Sequence, residues 1–83
     1  MTEKKYRVIQ WSSGNVGKAS IRGICNRSDL ELVGLIVSDE KKNGLDAGTI
    51  SGIDETGVLA STNIEEVLSI KADCVNYTPL ASL

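Results

Sequence analysis

The 83-residue sequence contains no histidine, one proline and two cysteines, and each shortage narrows its possible chemistry. Without histidine, the commonest general acid or base and the commonest metal ligand are missing, so we predict neither a catalytic residue nor a metal site in this segment. Cys25 and Cys74 form neither a C-x-x-C motif nor a metal-binding spacing, and apolar residues surround both in the sequence. We therefore expect both thiols to be small buried hydrophobic groups.

The sequence also lacks a strong charge of one sign and a long apolar run. Nine Lys and Arg residues stand against eleven Asp and Glu residues, for a net charge of −2, so no basic field favours a nucleic acid partner. No apolar run approaches the ~18 residues of a membrane span, and Met1–Lys5 leads into a strand rather than into a signal-peptide core. These features predict a soluble cytoplasmic protein with an authentic N-terminus and no membrane partner.

An apolar strand, a glycine-spaced turn and an amphipathic helix follow one another near the start of the chain. Tyr6–Trp11 is the predicted strand and Asn15–Arg27 the predicted helix. Between them, Ser12-x-Gly14-x-x-Gly17 matches the dinucleotide fingerprint G-x-G-x-x-G, with serine in place of the first glycine. This order is typical of a turn that binds a pyrophosphate, and the alternative is a tight turn with no ligand.

Each position of this turn has a physical role in such binding. Gly14 lets the backbone approach the phosphates, Gly17 lets the helix pack tightly on the strand, and the free amides of the first helical turn face the negative charge. Asn15 is the expected N-cap, and Ser12 must either tolerate the tight turn or mark a loop of different shape. The predicted pyrophosphate-binding residues are Ser12, Ser13, Gly14, Asn15, Val16 and Gly17.

The rest of the pattern predicts a parallel sheet. The near-continuous apolar run Leu30–Val37 is typical of a strand covered on both faces, and a crossover helix between two strands requires parallel pairing. Ser38–Gly57 is expected to be a long surface loop with a short helical turn. The further elements are a strand at Gly57–Ala60, a helix at Asn63–Ser69 capped by Thr62 or Asn63, and a strand at Asp73–Thr78 that ends at Pro79.

These elements place the chain in the α/β class, as the N-terminal half of a Rossmann-like parallel sheet with the pattern β-α-β-loop-β-α-β and the strand order 3-2-1-4. A complete dinucleotide-binding unit needs roughly 120 to 180 residues. We therefore expect residues 1–83 to be the N-terminal portion of such a domain in a larger two-domain protein, whose catalytic and substrate-binding domain lies outside this chain.

The end of the second strand should recognise the adenosine ribose of a dinucleotide. Ser38 stands there, where an acid would bind the ribose 2′-hydroxyl and repel a 2′-phosphate, and Lys41 and Lys42 follow it. A hydroxyl and two lysines can accommodate a phosphate, which favours NADP(H) slightly over NAD(H). The alternative is a solvated turn in which Asp39 binds the ribose.

Tyr77 and Thr78 end the fourth strand at the carboxyl edge of the sheet, near the point where the strand order reverses and ligands of doubly wound sheets bind. We expect them to contact the ribose or nicotinamide side of the cofactor. The alternative is a proline-terminated strand with a buried tyrosine. Trp11 lies at the mouth of the same site, where a packing role is favoured over cofactor contact.

The same segments carry a family resemblance, spread in order along the chain: Lys5–Gly17, Leu30–Gly34, Asp46–Gly48 with Thr56–Val58, and Asp73–Pro79. In them the chain resembles the N-terminal domain of dihydrodipicolinate-reductase-like proteins, and most of all the branch of 2,4-diaminopentanoate dehydrogenase and related NAD(P)-dependent amine dehydrogenases. The loop Trp-Ser-Ser-Gly-Asn-Val-Gly is the segment most specific to that branch.

The resemblance implies an oxidoreductase that moves hydride between NAD(P)H and a carbon–nitrogen double bond. It also implies a second, α+β domain that binds a small-molecule substrate, donates a proton and forms much of the contact of a homo-oligomer. The paired-histidine substrate motif of the reductases has no counterpart in a chain without histidine, so the 83 residues alone are expected to be inactive.

Two other interpretations stay open at this level. The half-fold could bind a nucleotide to regulate a partner without turnover, or the chain could be a truncated product that binds nothing. Sequence beyond Leu83 would discriminate between an enzyme and a sensor. An α+β domain of roughly 150 or more residues would favour the enzyme, whereas a DNA-binding or channel domain would favour the sensor.

Overall fold

The computed structural model describes residues 5–78, in which four parallel strands form one sheet with helices on both faces. The strands are β1 (Tyr6–Trp11), β2 (Leu30–Ile36), β3 (Ala60–Ser61) and β4 (Cys74–Tyr77). The helices are α1 (Asn15–Asn26), α2 (Ala47–Ser51) and α3 (Ile64–Leu68), with a 3₁₀ turn at Glu40–Lys42. The strand order β3-β2-β1-β4, with every neighbouring pair parallel, confirms the predicted Rossmann-like topology.

Both faces of the sheet are buried at its centre, as the apolar run of β2 predicts. The strands alternate their side chains between the two faces, so the central strands β1 and β2 each contribute to two cores. The core on the α1 face contains Val8, Ile21, Ile24, Leu32, Leu35, Val37, Ala47 and Ala60, and the core on the α3 face contains Ile9, Ile36 and Val67. Within residues 5–78, none of the helices has the length and apolarity needed to cross a membrane.

Element boundaries differ from the prediction by one to three residues. α1 ends at Asn26, where Arg27 is the C-cap and its guanidinium pairs with Asp29 at 2.8 Å. β2 ends at Ile36 instead of Val37, and the third strand begins at Ala60 instead of Gly57. α3 is capped by Asn63, whose side chain accepts from the N–H of Glu66. Pro79 lies outside the described residues.

The segment Ser38–Gly57 is only partly the surface loop that was predicted. Asp46 is 9% exposed, and its carboxylate accepts from the N–H groups of Gly48, Thr56 and Gly57 at 2.7 to 2.8 Å. The Thr56 hydroxyl donates to the same carboxylate at 2.9 Å. These bonds replace the water that a polar loop would otherwise need, and they tie the start of α2 to the turn at residues 56 and 57.

The prediction that both cysteines are buried is wrong, because Cys25 and Cys74 are exposed. The residues of α1 that face the sheet are Gly17, Ile21 and Ile24, and Cys25 lies beyond that stripe. Cys74 lies on β4, which is one of the two edge strands of the described sheet and is exposed along most of its length. Local sequence composition misleads here because burial depends on which face and which edge a residue occupies.

Candidate active site

The loop between β1 and α1 lies at the carboxyl edge of the sheet, where the strand order reverses between β1 and β4. Backbone hydrogen bonds hold it from both sides. The N–H of Ser12 donates to the carbonyl of Ile36 on β2 at 2.8 Å, and the N–H of Thr78 donates to the carbonyl of Trp11 at 3.1 Å. Ligands of doubly wound sheets bind at such a reversal point.

Ser12 occupies the position of the first glycine and adopts a φ of 95°. This region favours glycine, and Ser12 is the one non-glycine residue within 5–78 that has a positive φ. The serine therefore tolerates the turn, which was one of the two outcomes expected from the sequence. Its carbonyl lies directly against α1.

Gly17 makes this close approach possible. A Cβ atom added to Gly17 would collide with the Ser12 carbonyl, lying 2.8 Å from its carbon, and would sit 3.3 Å from Oγ1 of Thr78. A side chain at this position would push the helix away from the loop. The packing role predicted for Gly17 thus follows from the geometry of the turn.

The N-terminus of α1 differs from the prediction. Gly14, in an extended conformation, is the N-cap residue, and Asn15 is the first residue of the helix. No side chain caps this end and no acidic residue lies in the first turn, whereas side chains of Asp39, Asp46 and Asn63 cap the 3₁₀ turn, α2 and α3. The first-turn amides of α1 therefore carry the positive end of the helix dipole without a competing side-chain acceptor at the N-cap.

Gln10 is a residue of this site that the sequence analysis missed. It is fully buried, and its amide nitrogen donates to Oγ1 of Thr78 at 2.8 Å and to the carbonyl of Ser12 at 3.1 Å. Its amide oxygen accepts from Nδ2 of Asn76 at 2.9 Å. The available signal was a carboxamide in an otherwise apolar stretch of β1, because a buried amide requires hydrogen-bonding partners.

The segment after β2 reaches the loop through Lys42. Its ammonium group donates to Oγ of Ser13 at 3.1 Å and to the Ser13 carbonyl at 3.3 Å, while the Ser13 side chain is buried. Asp39 caps the 3₁₀ turn by accepting from the N–H of Lys41 at 2.9 Å, and Ser38 is exposed. Of the four residues predicted here, Lys42 is the one that contacts the loop.

At the end of β4, Thr78 and Tyr77 have different environments. Thr78 is joined to Gln10 and to the loop, as described above. Tyr77 is 61% exposed, so the alternative of a buried tyrosine is wrong. Its ring meets the ring of Trp11 edge to face, with centroids 5.2 Å apart, and Trp11 also packs on the apolar core of the α3 face. This contact supports the packing role of Trp11 and leaves much of the Tyr77 ring accessible.

Residues 8–81 match the family described as dihydrodipicolinate reductase, N-terminus. The chain belongs to this family. The N-terminal domain of dihydrodipicolinate reductases is a nucleotide-binding domain that takes NAD(P), and the described loop lies where a fold of this kind binds its dinucleotide. The family therefore binds a nicotinamide dinucleotide.

Two amine dehydrogenases are similar to this chain. The amine dehydrogenase of Streptomyces virginiae is 37% identical over 70 residues, which cover 83% of this chain and 19% of that protein. The structure of amine dehydrogenase from Mycobacterium smegmatis aligns with a TM-score of 0.75 at 25% identity, covering 84% of this chain and 21% of that one. The chain thus spans about a fifth of the length of these relatives.

Within residues 5–78, the surface away from the loop offers little reactive chemistry. An open groove of about 590 Å³ runs along the second half of α1, lined in part by Arg22, Cys25 and Asp54. Partial burial, and then the negative charge of Asp46, raise the pKa of the Cys25 thiol, which disfavours the nucleophilic thiolate. In the part of the chain that the structure describes, no cluster of three or more His, Cys, Asp or Glu side chains could hold a metal ion.

Proposed function

We propose that the loop Ser12–Gly17 binds the pyrophosphate of NAD(P)(H) and that the full-length protein is an amine-dehydrogenase-like oxidoreductase. The main observation in support of this proposal is the uncapped N-terminus of α1. Its free amides follow a tight turn at the point where the strand order reverses, and they suit a pyrophosphate in both position and charge. Membership of an NAD(P)-binding family and similarity to two amine dehydrogenases support the same assignment.

In this proposal the chain binds and orients the cofactor. The bound cofactor supplies or accepts the hydride that is exchanged with a carbon–nitrogen bond of the substrate. Residues Ser12, Ser13, Gly14, Asn15, Val16 and Gly17 hold the pyrophosphate, and the exposed ring of Tyr77, with Thr78 behind it, lies toward the nicotinamide half. The substrate, its proton donor and the homo-oligomer contacts belong to a second domain outside residues 1–83.

NADP(H) is the favoured cofactor. Lys42 brings a positive charge to the loop within hydrogen-bond distance of Ser13, and Ser38 places a hydroxyl where an acid would repel a 2′-phosphate. The carboxylate of Asp39 is engaged in capping the 3₁₀ turn, which reduces its capacity to bind a ribose hydroxyl. Lys41 is exposed beside it and adds to the positive charge. The cytoplasmic location remains a prediction from the sequence.

The proposal is tested by Gly14→Val in the full-length protein, with NADPH and NADH affinities measured by titration calorimetry. A valine at the N-cap should block the approach of the backbone to the pyrophosphate and weaken binding at least about tenfold, or about 1.4 kcal/mol. Gly23→Val is the matched control, because Gly23 lies exposed on the same helix with no atom within 4 Å of an added Cβ. Equal affinities for wild type and Gly14→Val would exclude this loop as the cofactor site.

A further inference from the structure

We propose that Gln10 is a positioning residue, which fixes Ser12 in its positive-φ conformation and thereby sets the affinity of the loop for the pyrophosphate. This inference rests on the proposed function and extends it to a residue that cannot touch the cofactor, because Gln10 is fully buried beneath the loop.

The orientation of the Gln10 amide is determined by its neighbours. Nε2 faces three oxygen atoms, on Thr78 at 2.8 Å, Ser12 at 3.1 Å and Trp11 at 3.4 Å. Oε1 faces the amide nitrogen of Asn76 at 2.9 Å. A reversed amide would place its oxygen against the carbonyl oxygens of Ser12 and Trp11, neither of which can donate a hydrogen bond. The two N–H groups therefore have their best partners in Thr78 and in the Ser12 carbonyl.

The Ser12 carbonyl requires such a donor. It lies against Gly17, at a place where no side chain on α1 could fit, and in this half-buried residue a carbonyl without a partner costs stability. A glycine at this position would adopt the positive φ readily, whereas the same φ strains the backbone of a serine. The hydrogen bond from Gln10 offsets that strain, so that Ser12 can replace the first glycine of the fingerprint.

The same amide connects the loop to the end of β4. Asn76 and Thr78 are 66 and 68 residues away in sequence from Gln10, and they lie beside Tyr77, which carries the exposed ring at the mouth of the site. Gln10 thus ties the pyrophosphate loop to the strand that leads to the nicotinamide side. An apolar residue of the same size would fill the space but would make none of these bonds.

The test uses Gln10→Met, which keeps the approximate volume and removes both amide groups, with and without Ser12→Gly in the full-length protein. We expect Gln10→Met to weaken binding of NADPH or NADH at least about tenfold. Adding Ser12→Gly should recover at least half of that loss on a logarithmic scale, because glycine needs no help to adopt the turn. Ile24→Ala, a core change on the same face of the sheet away from the loop, should alter affinity less than about threefold despite lowering stability.

The outcomes separate the positioning role from the proposed function. An affinity of Gln10→Met within about threefold of wild type, or a loss that Ser12→Gly does not reduce, overturns the positioning role. If wild-type protein binds neither nucleotide, the proposed function itself fails. In that case amide hydrogen exchange at residues 13–15 of the cofactor-free protein decides the remaining question. Faster exchange in Gln10→Met than in wild type and Ile24→Ala supports the positioning of the loop, and equal exchange overturns it.

Discussion

The ammonium nitrogen of Lys42 lies 3.1 Å from the hydroxyl oxygen of Ser13, so the 3₁₀ turn after β2 is joined to the loop after β1. In a Rossmann-like fold these two segments bind different parts of the adenosine diphosphate half of the cofactor. The first loop binds the pyrophosphate and the second binds the ribose. A single lysine therefore stands between the expected positions of the pyrophosphate and the 2′ substituent. The sequence alone gave Lys41 and Lys42 equal weight as phosphate ligands. In the structure Lys42 hydrogen-bonds to the loop, whereas Lys41 is exposed.

Lys42→Ala should weaken NADP(H) binding about tenfold and NAD(H) binding by less. The lost positive charge stands between the expected positions of the pyrophosphate, which both cofactors carry, and the 2′-phosphate, which only NADP(H) carries. Lys41→Ala is the matched control, and we expect it to change either affinity less than about threefold. The Lys41 side chain is exposed, and the residue takes part in the 3₁₀ turn through its backbone N–H, which the substitution keeps. Titrations at low and high salt provide a second readout. NADP(H) binding should be the more sensitive to salt, because the additional phosphate contact is partly exposed.

Ser38→Asp should shift the preference toward NAD(H) by ~1 to 3 kcal/mol, because a carboxylate would repel the 2′-phosphate and could accept from a ribose hydroxyl. The ratio of the NADP(H) and NAD(H) dissociation constants is the quantity to measure. Glu40→Gln changes the charge of the 3₁₀ turn by one unit in the opposite direction, so its effect on the ratio shows how much the overall charge of the segment contributes. An unchanged ratio, or a wild-type protein that prefers NAD(H) outright, would favour Asp39 as the ribose ligand.

The architecture could be predicted because it depends on short-range patterns. The alternation and apolar runs of β1 and β2, the glycine spacing and the length of the crossover helix are all visible within about thirty residues, and they suffice for a parallel Rossmann-like sheet. The details that differ from the sequence-based prediction depend on contacts between residues that are distant in the sequence. Gln10 finds its partners on β4, Asp46 accepts from residues ten and eleven positions later, and the exposure of Cys74 depends on its strand being at an edge.

Gly17→Ala should destabilise the protein by about 1–3 kcal/mol and weaken cofactor binding with it. The added methyl group would meet the Ser12 carbonyl, which is backbone and cannot rotate away as a side chain would. Gly23→Ala makes the same change six residues along α1, where nothing lies within 4 Å, and should stabilise the helix by about 0.5–1 kcal/mol. Chemical unfolding of the two variants measures both effects. Similar stabilities would mean that the helix does not approach the loop as closely as described.

Asp46 should make the stability of the protein depend on pH in the acid range. Desolvation raises the pKa of this carboxyl, but hydrogen bonds from Thr56, Gly48 and Gly57 outweigh it and hold the pKa below its ordinary value. Since the folded-state pKa is lower than that of the unfolded chain, the stabilising contribution is complete above the unfolded value of about 3.9. It is lost as the pH falls through the lower folded value.

Asp46→Asn tests this dependence. At neutral pH the variant should lose about 1–3 kcal/mol, because an amide cannot accept from all of the donors that surround the carboxylate. The difference in unfolding free energy between wild type and variant should begin to narrow as the pH falls below about 3.9, because the unfolded wild-type chain then binds a proton that the folded carboxylate does not, and the narrowing should end once the pH is below the lower folded pKa. Asp54→Asn, on an exposed residue of the same segment, should stay within about 0.5 kcal/mol of wild type. A gap between wild type and Asp46→Asn that is constant from neutral to acid pH would show that the charge of Asp46 does not hold the loop.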